Sequence, residues 1–132
     1  SQHGDVSPVY PLNLCMAEVG AGDYREARRR LERIRPNLER RSPDFGRLKR
    51  ALCRLAIHAG LGEWSAWDDL FAICRELTDE FVADSAGELD QPWMAELAAD
   101  ITRDAGHPER AERLVPMTER LWDWFDGRGD TG

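Results

Sequence analysis

The sequence has almost no lysine and no long apolar run. Lys49 is the single lysine beside 17 arginines. That bias is the codon signature of a GC-rich genome and associates the chain with bacteria. No segment approaches the roughly 20 consecutive apolar residues that a transmembrane helix requires, so no membrane span is expected. Ser1 to Val6 carries neither a basic flank nor an apolar stretch, and no signal peptide is read there. Histidine is scarce. His3, His58 and His107 cluster neither with one another nor with cysteine at metal-ligand spacing, so no metal and no cofactor is expected. Cys15, Cys53 and Cys74 are odd in number, far apart and set in apolar helical segments. They read as buried free thiols in a reducing cytoplasm.

Sequence signatures of catalysis are missing as well. The patterns G-x-x-x-x-G-K-[ST], G-x-G-x-x-G and G-x-S-x-G do not occur. The adjacent pairs Asp68-Asp69 and Asp79-Glu80 point apart on a helix. Asp100 and Asp104 share a face at i, i+4, but nothing suggests a pocket around them, and they read as solvated. These absences speak against an enzyme. No segment alternates with period two over a useful length, so no sheet is expected.

What is present is helical periodicity and a recurring turn. The 132 residues, 42% apolar and 33% charged, suit one thin domain with much surface per residue. Three junctions look alike: Gly22-Asp23-Tyr24, Gly62-Glu63-Trp64 and Gly106-His107-Pro108. Each sits between two apolar helical stretches. Helices are expected from Ser7-Pro8 to Gly20, over 23–40, 43–60 and 63–81, from Gln91-Pro92 to Ala105, and over 108–126. Tyr24, Ala27, Leu31, Ile34 and Leu38 recur at helical spacing, as do Phe45, Leu48, Leu52, Leu55 and Ala59. Pro36 is expected to kink the second helix or end it near Arg35. Ala83 to Asp90 reads as the longest internal loop. Residues 1–7 are expected to be a flexible N-terminus, 8–126 one domain, and 127–132 a loose tail.

The junction glycines lie 40 and then 44 residues apart, and the recurring unit resembles the tetratricopeptide repeat, though its spacing is longer than that family's usual length of about 34 residues. That family places glycine, an aromatic, alanine, a large apolar residue and a small residue along each turn and second helix. Gly22, Tyr24, Ala27 and Leu31 match well, with Ile34 larger than usual. Gly62, Trp64, Phe71 and Cys74 match in the second unit, but Trp67 stands where a small alanine is expected and should splay that helix pair or shift its packing. The third unit keeps Gly106 and Ala111, with Val115 at the large position. The resemblance implies an all-α fold of three antiparallel helix pairs, six main helices, stacked as a short right-handed solenoid. The alternative is an ordinary six-helix bundle. Degenerate units of this kind resemble those of large bacterial signalling proteins, which implies a non-catalytic scaffold or regulatory piece.

In that family the first helix of each pair lines the concave face. Carried over, the groove is lined by Met16, Lys49, Cys53, Trp93, Glu96 and Asp100, with Leu12 and Leu52 partly beneath. Trp93 is the expected anchor. Some members clamp a peptide's terminal carboxylate, but the corresponding positions here, Leu12, Met16, Cys53, Trp93 and Leu97, cannot bind one. An apolar or amphipathic helical ligand fits better. Trp122, Trp124 and Phe125 cannot all point inward from one helix, which leaves a C-terminal apolar contact surface.

Charge is segregated. Residues 25–54 hold 12 basic and 4 acidic residues, net +8, and residues 63–104 hold 2 basic and 12 acidic, net −10. The basic block, with Arg28, Arg29 and Arg33 at its centre, is either a solvated helix face or a site for an acidic partner. A nucleic-acid-binding helical domain using residues 25–54 is the runner-up function, disfavoured because no aromatics interleave there and the acidic half repels phosphate. A third alternative joins the basic end of one copy to the acidic end of another.

Overall fold

A computed structural model describes residues 9–41, 46–83 and 90–130. Among these the chain is all-helical, with no strand. The segments are α1 (Val9–Gly20), α2 (Tyr24–Arg41), α3 (Arg47–Leu61), α4 (Trp64–Ala83), α5 (Gln91–Asp104), α6 (Pro108–Arg113) and α7 (Val115–Asp130). The expected opening at Ser7-Pro8, the expected start of the helix over 43–60 with its core position Phe45, the segment 1–7 and residues 84–89 of the expected loop lie outside the described residues.

The three junction glycines share one conformation. Gly22, Gly62 and Gly106 have φ of 83°, 75° and 98°, the left-handed region that strains a residue with a Cβ. Gly22 N–H donates to Val19 (3.1 Å) and Asp23 N–H to Glu18 (2.8 Å). Gly62 and Glu63 repeat the pattern on Ala59 (3.2 Å) and His58 (2.8 Å), and Gly106 and His107 on Arg103 (3.0 Å) and Thr102 (3.2 Å). These paired bonds satisfy the last carbonyls of the outgoing helix. The carbonyls of Asp23, Glu63 and His107 then accept from Ala27, Trp67 and Ala111 and open the next helix. A Cβ at any of the three glycines would meet no atom within 4 Å. Backbone conformation, not crowding, selects glycine here. Gly60 is the opposite case: a Cβ there would collide with the Tyr24 ring, so its absence lets α2 start close against the end of α3.

Three boundaries differ from expectation. The single helix expected over 108–126 is two, α6 and α7, with Leu114 between them. Pro116 is the physical reason: it has no N–H for the carbonyl of Glu112, and its ring crowds the preceding turn. Leu114 N–H bonds instead to Ala111, three residues back, at 3.0 Å. α7 then continues to Asp130, past Gly127 where the loose tail was expected to begin. Pro36 does not end α2, which runs on to Arg41.

α3 is the central element. It packs against α1, α2, α4 and α5. Leu48, Lys49, Ala51, Leu52, Cys53, Leu55, Ala56, Ile57 and Ala59 are all buried on it. α1 also packs on α2, α5 on α6 and α7, and α4 on α7. Ala95 and Ala98 of α5 are fully buried, and such short side chains permit a close approach to α3.

Trp67 departs from the small residue that the resemblance calls for, and the packing accounts for it. Ala27 and Ala111, at the matching positions of the other turns, are fully buried, and so is Trp67. Its ring stacks on Phe71 with centroids 5.4 Å apart. Its Nε1–H donates to Thr102 Oγ1 on α5 at 3.2 Å. The indole therefore fills space between α4 and α5, while α3 and α4 stay packed together.

Candidate functional site

The face expected to form the groove is closed at its centre. Lys49 and Cys53, expected to line it, are fully buried, as are Leu12 and Leu52 beneath them. The Lys49 ammonium donates to Asn13 Oδ1 of α1 at 2.9 Å and meets Asp90 Oδ2, just before α5, at 2.8 Å. Lys49 thus ties α1, α3 and the start of α5 together and offers nothing to a ligand. Cys53 Sγ lies 3.9 Å from Met94 Sδ. Burial pushes its thiol pKa up, and likewise raises Cys15 to about 11 and Cys74 to about 12. The three thiols are free and buried, without thiolate reactivity near neutral pH. Met16 is half-buried, and Trp93, Glu96 and Asp100 are exposed.

Around Trp93 the structure joins two regions that the sequence kept apart. Trp93 on α5 meets Trp122 and Phe125 on α7, edge-on, with centroids 4.6 Å and 5.1 Å away. Trp122 and Phe125 are 5.6 Å apart. Trp93 is 50% exposed, which for so large a ring leaves a substantial apolar surface in water. Trp124 turns the other way and packs against Phe81 at 4.5 Å. Spacing on α5 puts Glu96 and Asp100 on the Trp93 face, and spacing on α7 puts Asp126 on the Trp122 face. All three carboxylates are exposed. The result is an aromatic patch with an acidic border.

A recess lies elsewhere, a trough of about 970 Å³ between α2, α3 and α4. Its floor includes Leu31, Ala51, Ile57, Leu70 and Leu77, and Ile73 stands 48% exposed at its side. α3 presents Arg47, Arg50, Arg54 and His58 to it. These four recur at i, i+3, i+7 and i+11, a helical stripe that would have revealed the trough had the opposite face of α3 been known to be buried.

The central arginines of the basic block hold carboxylates of the same chain. Arg28 pairs with Glu63, Arg29 with Glu26 at 2.7 Å and Arg33 with Glu26 at 3.4 Å. Arg30 grips Glu18 of α1 through two bonds, 2.8 and 3.1 Å. Bonds from Arg28 and then His58 hold the Glu63 carboxyl below the usual carboxylate range, and Arg29 does the same for Glu26. His58 Nδ1 is 2.8 Å from Glu63 Oε1, which gives it a structural task at the end of α3. Further along, Arg110 clasps Asp68 with two 3.0 Å bonds and lies 5.1 Å over the Trp64 ring. His107 packs on the same indole at 3.9 Å.

Among the described residues, no helix is long and apolar enough to cross a membrane, and no three His, Cys, Asp or Glu are grouped to hold a metal ion. No protein-family model, no curated protein and no solved structure matches this chain.

Proposed function

We propose that this chain is a non-catalytic protein-interaction module, built as a short tetratricopeptide-like solenoid of three helix pairs. Support for the repeat comes from the identical turn geometry at Gly22, Gly62 and Gly106. It comes also from the packing of α1 on α2, α3 on α4, and α5 on α6 and α7. The observation that carries the binding role is the half-exposed Trp93, backed edge-on by Trp122 and Phe125. A rigid aromatic cluster in water is costly to leave uncovered and is the commonest kind of interface anchor. With Glu96, Asp100 and Asp126 around it, the fitting partner is an amphipathic helix whose apolar stripe is flanked by lysine or arginine.

Trp93→Ala tests this. Partners recovered by proximity labelling with the native chain are expected to bind the variant at least about tenfold more weakly. The melting temperature should fall by several degrees, since half the ring packs against Trp122 and Phe125, and the melt shows whether the variant is still folded. Undiminished binding by the variant removes the aromatic patch from the interface. Nucleic-acid binding is the competing function, and the ion pairs of Arg28, Arg29 and Arg33 weigh against it. Nucleic-acid affinity that falls steeply with salt and vanishes on reversing those three charges would replace the protein-binding role.

A further inference from the structure

The trough between α2, α3 and α4 is not used by the aromatic patch, which lies on α5 and α7. α3 is enclosed by four helices and turns the stripe of Arg47, Arg50, Arg54 and His58 to the trough; Arg47 and Arg54 are exposed, Arg50 and His58 half-buried, with Arg47 paired to Glu80 at 3.6 Å and His58 to Glu63. The stripe spans eleven residue steps, roughly 16 Å or about three helical turns. α4 runs alongside, turning Ala66, Leu70, Ile73 and Leu77 to the same space at spacings of four, three and four. Ile73 is one of two large apolar side chains left mostly exposed among the described residues, the other being Trp93. The space is therefore elongated, apolar along one wall and arginine-lined along the other.

We propose that this trough is a second docking site, whose occupant is an amphipathic helix of another protein bearing an apolar stripe flanked by carboxylates. The length matches three turns of a helix laid along it. Arginine selects carboxylates through paired, planar hydrogen bonds, and Ile73 supplies the apolar contact. A nucleic-acid backbone fits less well. It offers no apolar group to Ile73, whereas the carboxylates of Glu32, Glu63 and Asp69, which also line the space, oppose either anion. A second copy of this chain, presenting its acidic and aromatic α5/α7 face, is the rival occupant.

A displayed library of helical peptides with a fixed leucine stripe and randomised flanks, selected against the full chain, tests the proposal. Beside the basic-flanked helices expected for the aromatic patch, a class with flanks rich in Glu and Asp is expected. Fluorescence anisotropy should find the affinity of that acidic class reduced at least about tenfold by Ile73→Glu and by Arg54→Glu, and reduced by added salt. Arg54→Gln should give a smaller loss, and Trp93→Ala should leave this binding intact. That last outcome separates the trough from the aromatic patch, so either site can fail alone. Residues 54 and 73 are exposed, and a thermal melt of each variant verifies that it is folded. Selection that yields no acidic-flanked helix, or binding indifferent to Ile73→Glu in a folded variant, overturns the proposal. So does concentration-dependent dimerisation broken by Arg54→Glu, which assigns the trough to a second copy.

Discussion

Lys49 has no solvent exposure, and its ammonium lies 2.8 Å from the carboxylate of Asp90. The two are brought together from α3 and from the residue that precedes α5. Asn13 of α1 completes the arrangement at 2.9 Å. A buried ammonium survives only with such partners, because the cost of desolvating it is otherwise several kcal/mol.

Asp90→Ala should therefore destabilise the fold by about 3 kcal/mol, since it strands the buried charge. Lys49→Met should cost clearly less. It removes the charge, keeps the volume, and leaves a carboxylate that is 35% exposed and can be hydrated. Urea denaturation of the two variants checks the order. Equal losses would mean that packing, and not the ion pair, dominates at this position.

Trp67 spans α4 and α5, so its truncation opens a cavity between them. Trp67→Ala should cost about 3–5 kcal/mol. Trp67→Phe should cost about 1–2 kcal/mol. The Thr102 hydroxyl is not orphaned by that change, because it still donates to Ala98 O at 2.7 Å. Calorimetric melts of the two variants give the comparison.

Two glycines on one short segment should fail for different reasons. Gly62→Ala forces a Cβ into the left-handed region at φ 75° and should cost about 1–2 kcal/mol. Gly60→Ala drives a methyl into the Tyr24 ring. Adding Tyr24→Ala should recover part of the second loss and none of the first, a coupling that a double-mutant cycle reads directly.

Acid should weaken the fold through Glu63 and Asp68. Both carboxyls titrate below their ordinary values of 4.5 and 3.8, Glu63 because of Arg28 and His58, Asp68 because of Arg110. A depressed carboxyl contributes stability that is complete above its unfolded pKa and is lost as pH falls through the folded one. The part of the melting temperature owed to these two should be flat above about pH 5 and decline below about pH 4. The side chains of Glu63 and Asp68 are 38% and 41% exposed, so the effect should be modest and should shrink with added salt. Asp68→Asn should remove part of the acid limb. An unchanged profile would mean that solvent already screens the Arg110 clasp.

Local sequence carries the helices and their junctions because both depend on short-range rules. Helical spacing at Ala27, Leu31 and Ile34, and glycine where a chain must pass through positive φ, are visible within a few residues. Pro116 was equally visible, but its effect was masked by strong apolar periodicity on both sides of it. The site was read less completely. Trp93 and Trp122 each stand out alone in the sequence, yet nothing in a linear pattern says that their rings meet edge-on at 4.6 Å.

By itself the sequence determined that the chain is helical, that it turns at Gly22, Gly62 and Gly106, and that its charge is split between two segments. Tertiary structure alone decided which faces water reaches. Lys49 looks like a surface residue until α1 and α5 close over it. On the same helix Arg54 stays exposed, beside a trough between α2, α3 and α4. Burial depends on what packs opposite a side chain, and those neighbours lie dozens of residues away along the chain.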